Sequence, residues 1–548
     1  MIGLGWASPP AHRLGTAALA AVPLAALVLF FLYPVGGMLA RGFWPEGSFA
    51  PGEVLEVLGR PRVHRVLWFT LWSAVSATFV AVLVGLPVAF ALHRLLFPGR
   101  DLVRALVVVP FVLPTVVVGV AFRQLIAPSG PLGSLGLDGT AIAIVAALVF
   151  FNISVVVRTV GAFWETIDPR REEAAAALGA SPWQVLRTVT LPALLPGIVS
   201  AASVVFLFCA TSFGVVLTMG GLRYANVETE IYLLTTQELD LSGAAALSVL
   251  QVLVIVALLA LSARVRRSTA PVDRSTRRVP RPRRAHLPVL LWTATVVVFL
   301  MAPLASLVIA SLRRGERWGL QNYRALGTTG ERNALLVPAT DGLLNSLGIA
   351  LVASLLSLTL GSIVAFLVSR PAGGRTTGLL DGLFMLPLGV SAVTVGFGFL
   401  ITLDRPPLDL RSSALLIPIA QAMVALPLVV RTVGPVLRSI DDRQRQAASS
   451  LGAGPMRVLL TVDLPVAWRA LLAALGFAFA VSLGEFGATS FLARDDNPTL
   501  PVVIYRLIGQ PGAENFGMAM AASVVLATTT AAVMFAVQRL RVGSMGAF

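Results

Sequence analysis

The chain has 548 residues, of which 56% are hydrophobic and 13% charged, with a formal net charge of +15. Soluble domains carry about 25% charged residues, so this composition excludes a soluble globular protein. The basic surplus then belongs to the loops of a membrane protein, not to a nucleic-acid surface, and no nucleic-acid partner is expected.

Apolar runs long enough to cross a bilayer as helices recur in the first half at 15–40, 66–92, 102–126, 140–162, 193–217 and 243–264. In the second half they fall at 287–312, 345–369, 378–403, 413–432, 466–491 and 517–538. The alternating pattern of a membrane β-barrel is absent. The expected fold is therefore all-α and polytopic, with about 12 transmembrane helices in two sets of six. The first run has little positive charge before it and no small-residue cleavage site, so it is expected to be a retained helix.

Arginines give the orientation. HRLLFPGR (93–100) and SRPAGGR (369–375) are short basic loops. Stretch 264–286, RVRRSTAPVDRSTRRVPRPRRAH, sets nine arginines against Asp273. It reads as a cytoplasmic linker between a first unit, 1–263, and a second, 287–548. Loop 218–242 holds Glu228, Glu230, Glu238 and Asp240 against Arg223, and is expected to face outward. Counting spans from the linker puts both termini in the cytoplasm. Loop 313–344 is basic yet falls on the outer side by the same count.

Two cytoplasmic segments repeat. EEAAAALGASPWQVLRTVTLP (172–192) is echoed by QAASSLGAGPMRVLLTVDLP (446–465), and VVRTVG stands at both 156–161 and 429–434. Ile167, Asp168, Arg170, Gly179, Leu191 and Pro192 all recur 273 positions later. Upstream, Gly85, Ala89, Phe90 and Arg94 echo Gly361, Ala365, Phe366 and Arg370, while Pro110, Gly119 and Phe122 echo Pro387, Gly396 and Phe399. Polar and glycine positions held in register mean an internal duplication. Equal span number and orientation make the repeats parallel, related by an axis along the membrane normal.

Local chemistry predicts the shape of the repeated segment. Asp168-Pro169 is a helix N-cap followed by proline at the first helical position. Glu172 and Glu173 lie near that N-terminus, where negative charge is favoured. Ala174 to Ala177 make a slim helix, which Gly179 can end in a left-handed conformation. Ser181-Pro182 starts a second helix, expected to run to Leu191-Pro192, where the chain re-enters the membrane. The result is a helix-turn-helix bracket with a small-residue surface that another protein's groove can approach. Two brackets on one membrane face imply two docking sites.

This pattern resembles the coupling loop of binding-protein-dependent ABC importer permeases. Glu173, Ala174, Ala175, Gly179, Val189, Leu191 and Pro192 fit it in full. Ala447, Ala448, Gly452, Val462, Leu464 and Pro465 fit the second copy, where Gln446 replaces the glutamate. The resemblance covers nearly the whole chain as two fused permease units. It implies a multi-pass protein of the bacterial inner membrane, two copies of an ABC ATPase docked on the brackets and an external substrate-binding protein. A P-loop needs GxxxxGK[ST], and this chain has no lysine. ATP is therefore used by the partner subunit; the chain is expected to bind no cofactor and to be no enzyme.

Fused permeases of this kind are similar to thiamine and ferric-ion importers. LVFFNISVVVRTVG (148–161), FLFCATSFGVVLTMGG (206–221) and VETEIYLLTT (227–236) look most like the thiamine group. SLGEFGAT (482–489) is similar also to oxyanion permeases. The resemblance implies thiamine or a phosphorylated thiamine as cargo, with ferric ion or an oxyanion as the alternative. Glu485 lies in or near an apolar span, where acids are costly and often functional. With Phe486, Phe213 and Ser212, which stands at the place equivalent to Glu485, it is a candidate for the substrate pathway or gate. A cation could meet a ring face there. Asn152 reads as glue between helices, Arg158 as a cytoplasmic boundary residue and Cys209 as a small core residue. Four scattered histidines have no metal-ligand spacing. A secondary transporter is the rival of another class. It would need coupling-ion acids in several helices, and it would leave the brackets unexplained.

Overall fold

The structure, a computed structural model, describes residues 10–44, 48–221, 223–266, 281–369, 382–404 and 409–540. Among these, strands are confined to one small antiparallel hairpin, Arg313–Arg314 with Arg317–Trp318. The remaining regular structure is helical, as an all-α membrane protein requires.

Nine helices among the described residues are long and apolar enough to cross a bilayer: Leu19–Phe43, Pro61–Arg94, Ala141–Thr166, Pro182–Ala210, Arg284–Ser311, Ala339–Ser369, Leu416–Arg438, Pro455–Leu483 and Ala513–Val537. The bent pair Arg100–Val112 and Thr115–Ile126 supplies a tenth. Leu241–Arg266 and the segment ending in Ala392–Thr402 take the two remaining places. Residues 267–280 of the linker and 370–375 of the SRPAGGR loop lie outside the described residues.

Four expected spans are not single straight helices. The run at 102–126 is bent by 105° between Val112 and Thr115. Pro114 disfavours a helical Leu113, which is extended at φ −70°, ψ 137°. The run at 378–403 breaks likewise, with Val390 extended before the helix from Ala392. The run at 193–217 stops at Ala210 and restarts at Phe213–Met219. That at 466–491 stops at Leu483 and restarts at Thr489–Leu492.

One segment read as a loop, and its counterpart in the second half, are helical in part. Loop 218–242 contains the helix Val227–Thr236, and 492–515 contains Leu500–Gly509; both bury most of their side chains. Glu228 and Glu230, read as loop acids, are themselves buried. Charge counts cannot separate a solvated loop from a helix that dips back into the protein, because a few paired acids satisfy either.

The first span of each half packs on the opposite half. Phe30 meets Phe399 of the second half with centroids 6.4 Å apart, and Phe299 meets Phe122 of the first half at 6.3 Å. Trp292 Nε1 donates to the Val84 carbonyl at 3.2 Å. Phe122 and Phe399 are repeat equivalents, so the exchange is reciprocal. Cys209 is buried, and the Asn152 amide donates to its sulfur at 3.2 Å, joining two spans as expected of a polar glue residue.

Candidate functional site

The brackets fold as their sequences predict up to one point. Asp168 Oδ1 accepts from the Arg170 N–H at 3.0 Å and caps Pro169–Ala177. Asp441 does the same for Asp442–Ser450, accepting from Arg443 at 2.9 Å. Gly179 and Gly452 end these helices at φ +90° and +83°, a region that favours glycine. Ser181 and Gln184 close a capping box at the second helix. In the second copy Gly454 stands at the serine position and gives no side-chain cap. The difference comes at Leu191-Pro192 and Leu464-Pro465, where no helix ends. Pro182–Val185 continues through a π turn, Leu186–Thr190, into Leu191–Ala210, and the second half repeats this through Leu459–Asp463. A proline ring clashes with the carbonyl four residues back; the wider π turn makes room for Pro192 and Pro465. The second helix of each bracket is thus continuous with a membrane helix.

Of the expected docking residues, Glu173, Ala174, Gly179, Leu191 and Pro192 are exposed, as are Gln446, Ala447, Gly452, Leu464 and Pro465; Ala175 and Ala448 are half-buried. The outermost apolar groups are different ones. Leu178 is 90% exposed and its equivalent Leu451 89%, flanked by Trp183 and Met456 at matching register. The repeat hides this signal, because leucines beside glycines read as helix-end residues.

Glu172 faces inward. Its carboxylate pairs with Arg94 and accepts from Thr190 Oγ1 at 2.7 Å. The equivalent clasp in the second half has reversed charge. Arg445 stands where Glu172 does and donates to Asp463, the counterpart of Thr190, at 2.8 Å, and to Asp442 at 2.7 Å. Burial pulls the Arg445 guanidinium down, but the two aspartates hold it above its ordinary value. Either clasp ties the start of the bracket to the root of its membrane helix.

Ser212, Phe213, Glu485 and Phe486 lie at the two breaks of the fifth spans, and the structure brings the phenylalanines together. Their rings stack with centroids 5.3 Å apart and planes 26° apart. Being equivalent residues, they mark the pseudo-twofold axis. Tyr232 packs on Phe213 at 5.4 Å, and Tyr505, its equivalent, on Phe486 at 5.6 Å. Phe491 adds a further ring against Tyr232 at 5.4 Å. Glycines let the broken segments approach. A Cβ on Gly214 would lie 2.5 Å from Thr115 Oγ1, and one on the equivalent Gly487 would lie 3.1 Å from the Val393 nitrogen.

The two polar residues at these breaks do different work. Glu485 Oε1 accepts from the Ala488 N–H at 2.7 Å, while Oε2 accepts from the Thr489 N–H at 3.1 Å and from its hydroxyl. The carboxylate is the cap of the restarted helix. A cap of this kind is indifferent to the charge of the cargo. The Ser212 carbonyl accepts from Asn226 Nδ2 at 2.8 Å, and Asn226 caps Val227–Thr236.

Glu228 is the acid that residue patterns missed. It is 0% exposed. Its partners are neutral: the Gln251 amide donates to one oxygen, and Ser391 Oγ of the opposite half donates to the other at 2.8 Å. Near it in the chain, Arg62 Nε pairs with Glu230 at 2.7 Å and Arg60 with Asp240 at 2.7 Å. Burial pushes the Asp240 carboxyl up, but the bonds from Arg60 and the Gly243 N–H win and hold it below the usual range. A cavity of about 580 Å³ is lined by Tyr505, Arg123, Asn333, Arg506 and Gln510 among others.

Two parallel six-span units, a bracket repeated in each, and a pair of equivalent rings stacked where the units meet are the architecture of a membrane permease. The model of the binding-protein-dependent transport system inner membrane component matches residues 81–269 and again 357–541. The chain belongs to that family: it is a fused double-unit ABC importer permease, a multi-pass inner membrane protein and not an enzyme, whose family works with an ATPase and a binding protein. It is similar to the thiamine transport system permease protein ThiP of Brucella abortus, 27% identical over 91% of this chain and 92% of the relative. The protein of that name from Escherichia coli is 28% identical over 81% and 83%. A probable ABC transporter permease protein of Sinorhizobium fredii is 29% identical over 87% and 88%.

Proposed function

We propose that this permease imports thiamine or a phosphorylated thiamine. The observation that carries the reading is the end-to-end similarity to thiamine transport system permease proteins across both halves. In this reading an external binding protein delivers cargo at the outer face, with both termini and the linker 264–286 in the cytoplasm. Two ATPase copies dock on the brackets, around Glu173, Ala174, Ala175, Gly179 and Gln446, Ala447, Ala448, Gly452. Leu178 and Leu451 seat in their grooves. Closure of the ATPases pushes each lever, the two units rock, and the Phe213–Phe486 stack parts to pass the cargo. Glu485 and Ser212 serve the gate as cap and break residues.

The test is ATP-dependent uptake of labelled thiamine in cells with and without this chain, with labelled ferric ion in parallel. Loss of thiamine uptake alone supports the reading. Loss of iron uptake alone keeps the importer and replaces the cargo.

A further inference from the structure

The two sides of the constriction are equivalent in backbone and unlike in chemistry. On one side stand Glu228, Gln251 and Ser391. At the equivalent places on the other stand Pro501, the apolar run Val524-Val525-Leu526, and Pro114. The duplication supplies an internal control: the fold tolerates an entirely apolar version of this corner, so packing does not require the acid. Burying an acid with no cation beside it is costly. Intramembrane acids held at such a cost mark functional positions.

The surroundings specify a ligand. Glu228 and Tyr232 are four residues apart on one helix, so their side chains share a face. Tyr232 lies between Phe213 and Phe491, and Phe491 continues to Phe397 at 6.4 Å. The ring wall thus draws on both halves. Arg506, which acts on Tyr232 from the outer side, is neutralised by Asp495. Ring faces beside one uncompensated carboxylate attract a flat organic cation. One acceptor, Gln251 Oε1, is buried with no partner.

Resting on the thiamine reading above, we propose that Glu228 is the counter-charge for the cationic ring of the cargo in the opened pathway, with Tyr232 and Phe213 as its aromatic walls. Ser391 belongs to the second half and Glu228 to the first, so rocking of one unit against the other parts them. The carboxylate then loses one of its two donors at the moment the rings separate, and the cargo's cation replaces it. Return of Ser391 displaces the cation and closes the gap.

The experiment uses the complete transporter in proteoliposomes with saturating binding protein. It compares uptake of thiamine with that of its neutral isostere, in which a thiophene carbon replaces the thiazolium nitrogen. The binding protein's own preference is common to all permease variants and cancels when their ratios are compared. Glu228→Gln is expected to lower the charged-to-neutral ratio by about tenfold or more, and Glu165→Gln, at an exposed acid paired with His93, to leave it unchanged. If Glu228→Gln fails to assemble with the ATPase, Tyr232→Leu is read in its place, with the same direction expected. A ratio equal to wild type in the assembled variant overturns the proposal while leaving the thiamine reading intact; equal loss of both cargoes makes Glu228 a latch between halves and overturns it too. A wild-type protein that carries no thiamine overturns both.

Discussion

Phe213 and Phe486 hold the same register in the two halves, and their rings stack on each other across the axis. In the proposed gate, such a symmetric pair closes on itself and needs no third element. The stack adds about 0.5–1.5 kcal/mol beyond the area it buries, a barrier that ATP-driven rocking can overcome. Phe213→Ala with Phe486→Ala is expected to make proteoliposomes leak preloaded thiamine without ATP. Retention equal to wild type would remove the gate assignment.

Leu178→Asp and Leu451→Asp remove the apolar knobs of the brackets. Burying one leucine stabilises a contact by about 1.5–3 kcal/mol, so each change should weaken ATPase association roughly tenfold to a hundredfold. Co-purification titrated with the ATPase subunit measures it. Undiminished binding by both variants would place the docking face elsewhere.

Gly452→Val has space for its side chain, with nothing within 4 Å of the added Cβ. The left-handed backbone is what it disturbs, at a cost of about 1–2 kcal/mol. The turn between the bracket helices should open and ATP hydrolysis continue while uptake falls severalfold. Uptake and hydrolysis that keep their wild-type ratio argue against a lever.

The reversed clasp can be dissected. Asp463 is 1% exposed in its side chain. Arg445→Leu removes its cation, at about 3–5 kcal/mol, whereas Arg445→Leu with Asp463→Leu removes the pair together and recovers most of that loss. Thermal unfolding of the purified complex distinguishes the two. A double variant no better than the single one would show that the clasp is not a closed pair.

Asp240 gives a pH prediction. Its folded carboxyl lies below its unfolded value of about 3.9, so its stabilising contribution is complete above that value and fades only as pH falls through the depressed one. Mobility of a spin label attached through Leu239→Cys, beside Asp240, should stay flat from about pH 8 to 5, on the same linkage argument. A transition inside that range would contradict the Arg60 pairing.

Repetition made most of this legible in the sequence. Asp168, Gly179 and Ser181 act through local backbone geometry, and each does what its neighbours in the chain predict. The breaks were less visible, since hydropathy registers Pro114 or Gly484 as an interruption too small to split a run. Glu228 was misread for a different reason. Its partner is Ser391, 163 residues away, and no local pattern distinguishes a buried acid from the exposed Glu238 further along the same segment. Glu485 drew attention by its apolar setting alone, which a helix cap satisfies equally well.

Each half lends its first helix to the other. Neither six-helix set is then a finished object, and the two must be made together like interlocked links. A single polypeptide guarantees one of each, so the partners never meet as identical twins. That arrangement is what allows one face of the passage to carry a lone acid while its mirror position stays greasy. A homodimeric ancestor would have had to place two acids around one cargo, and a singly charged guest could neutralise only one.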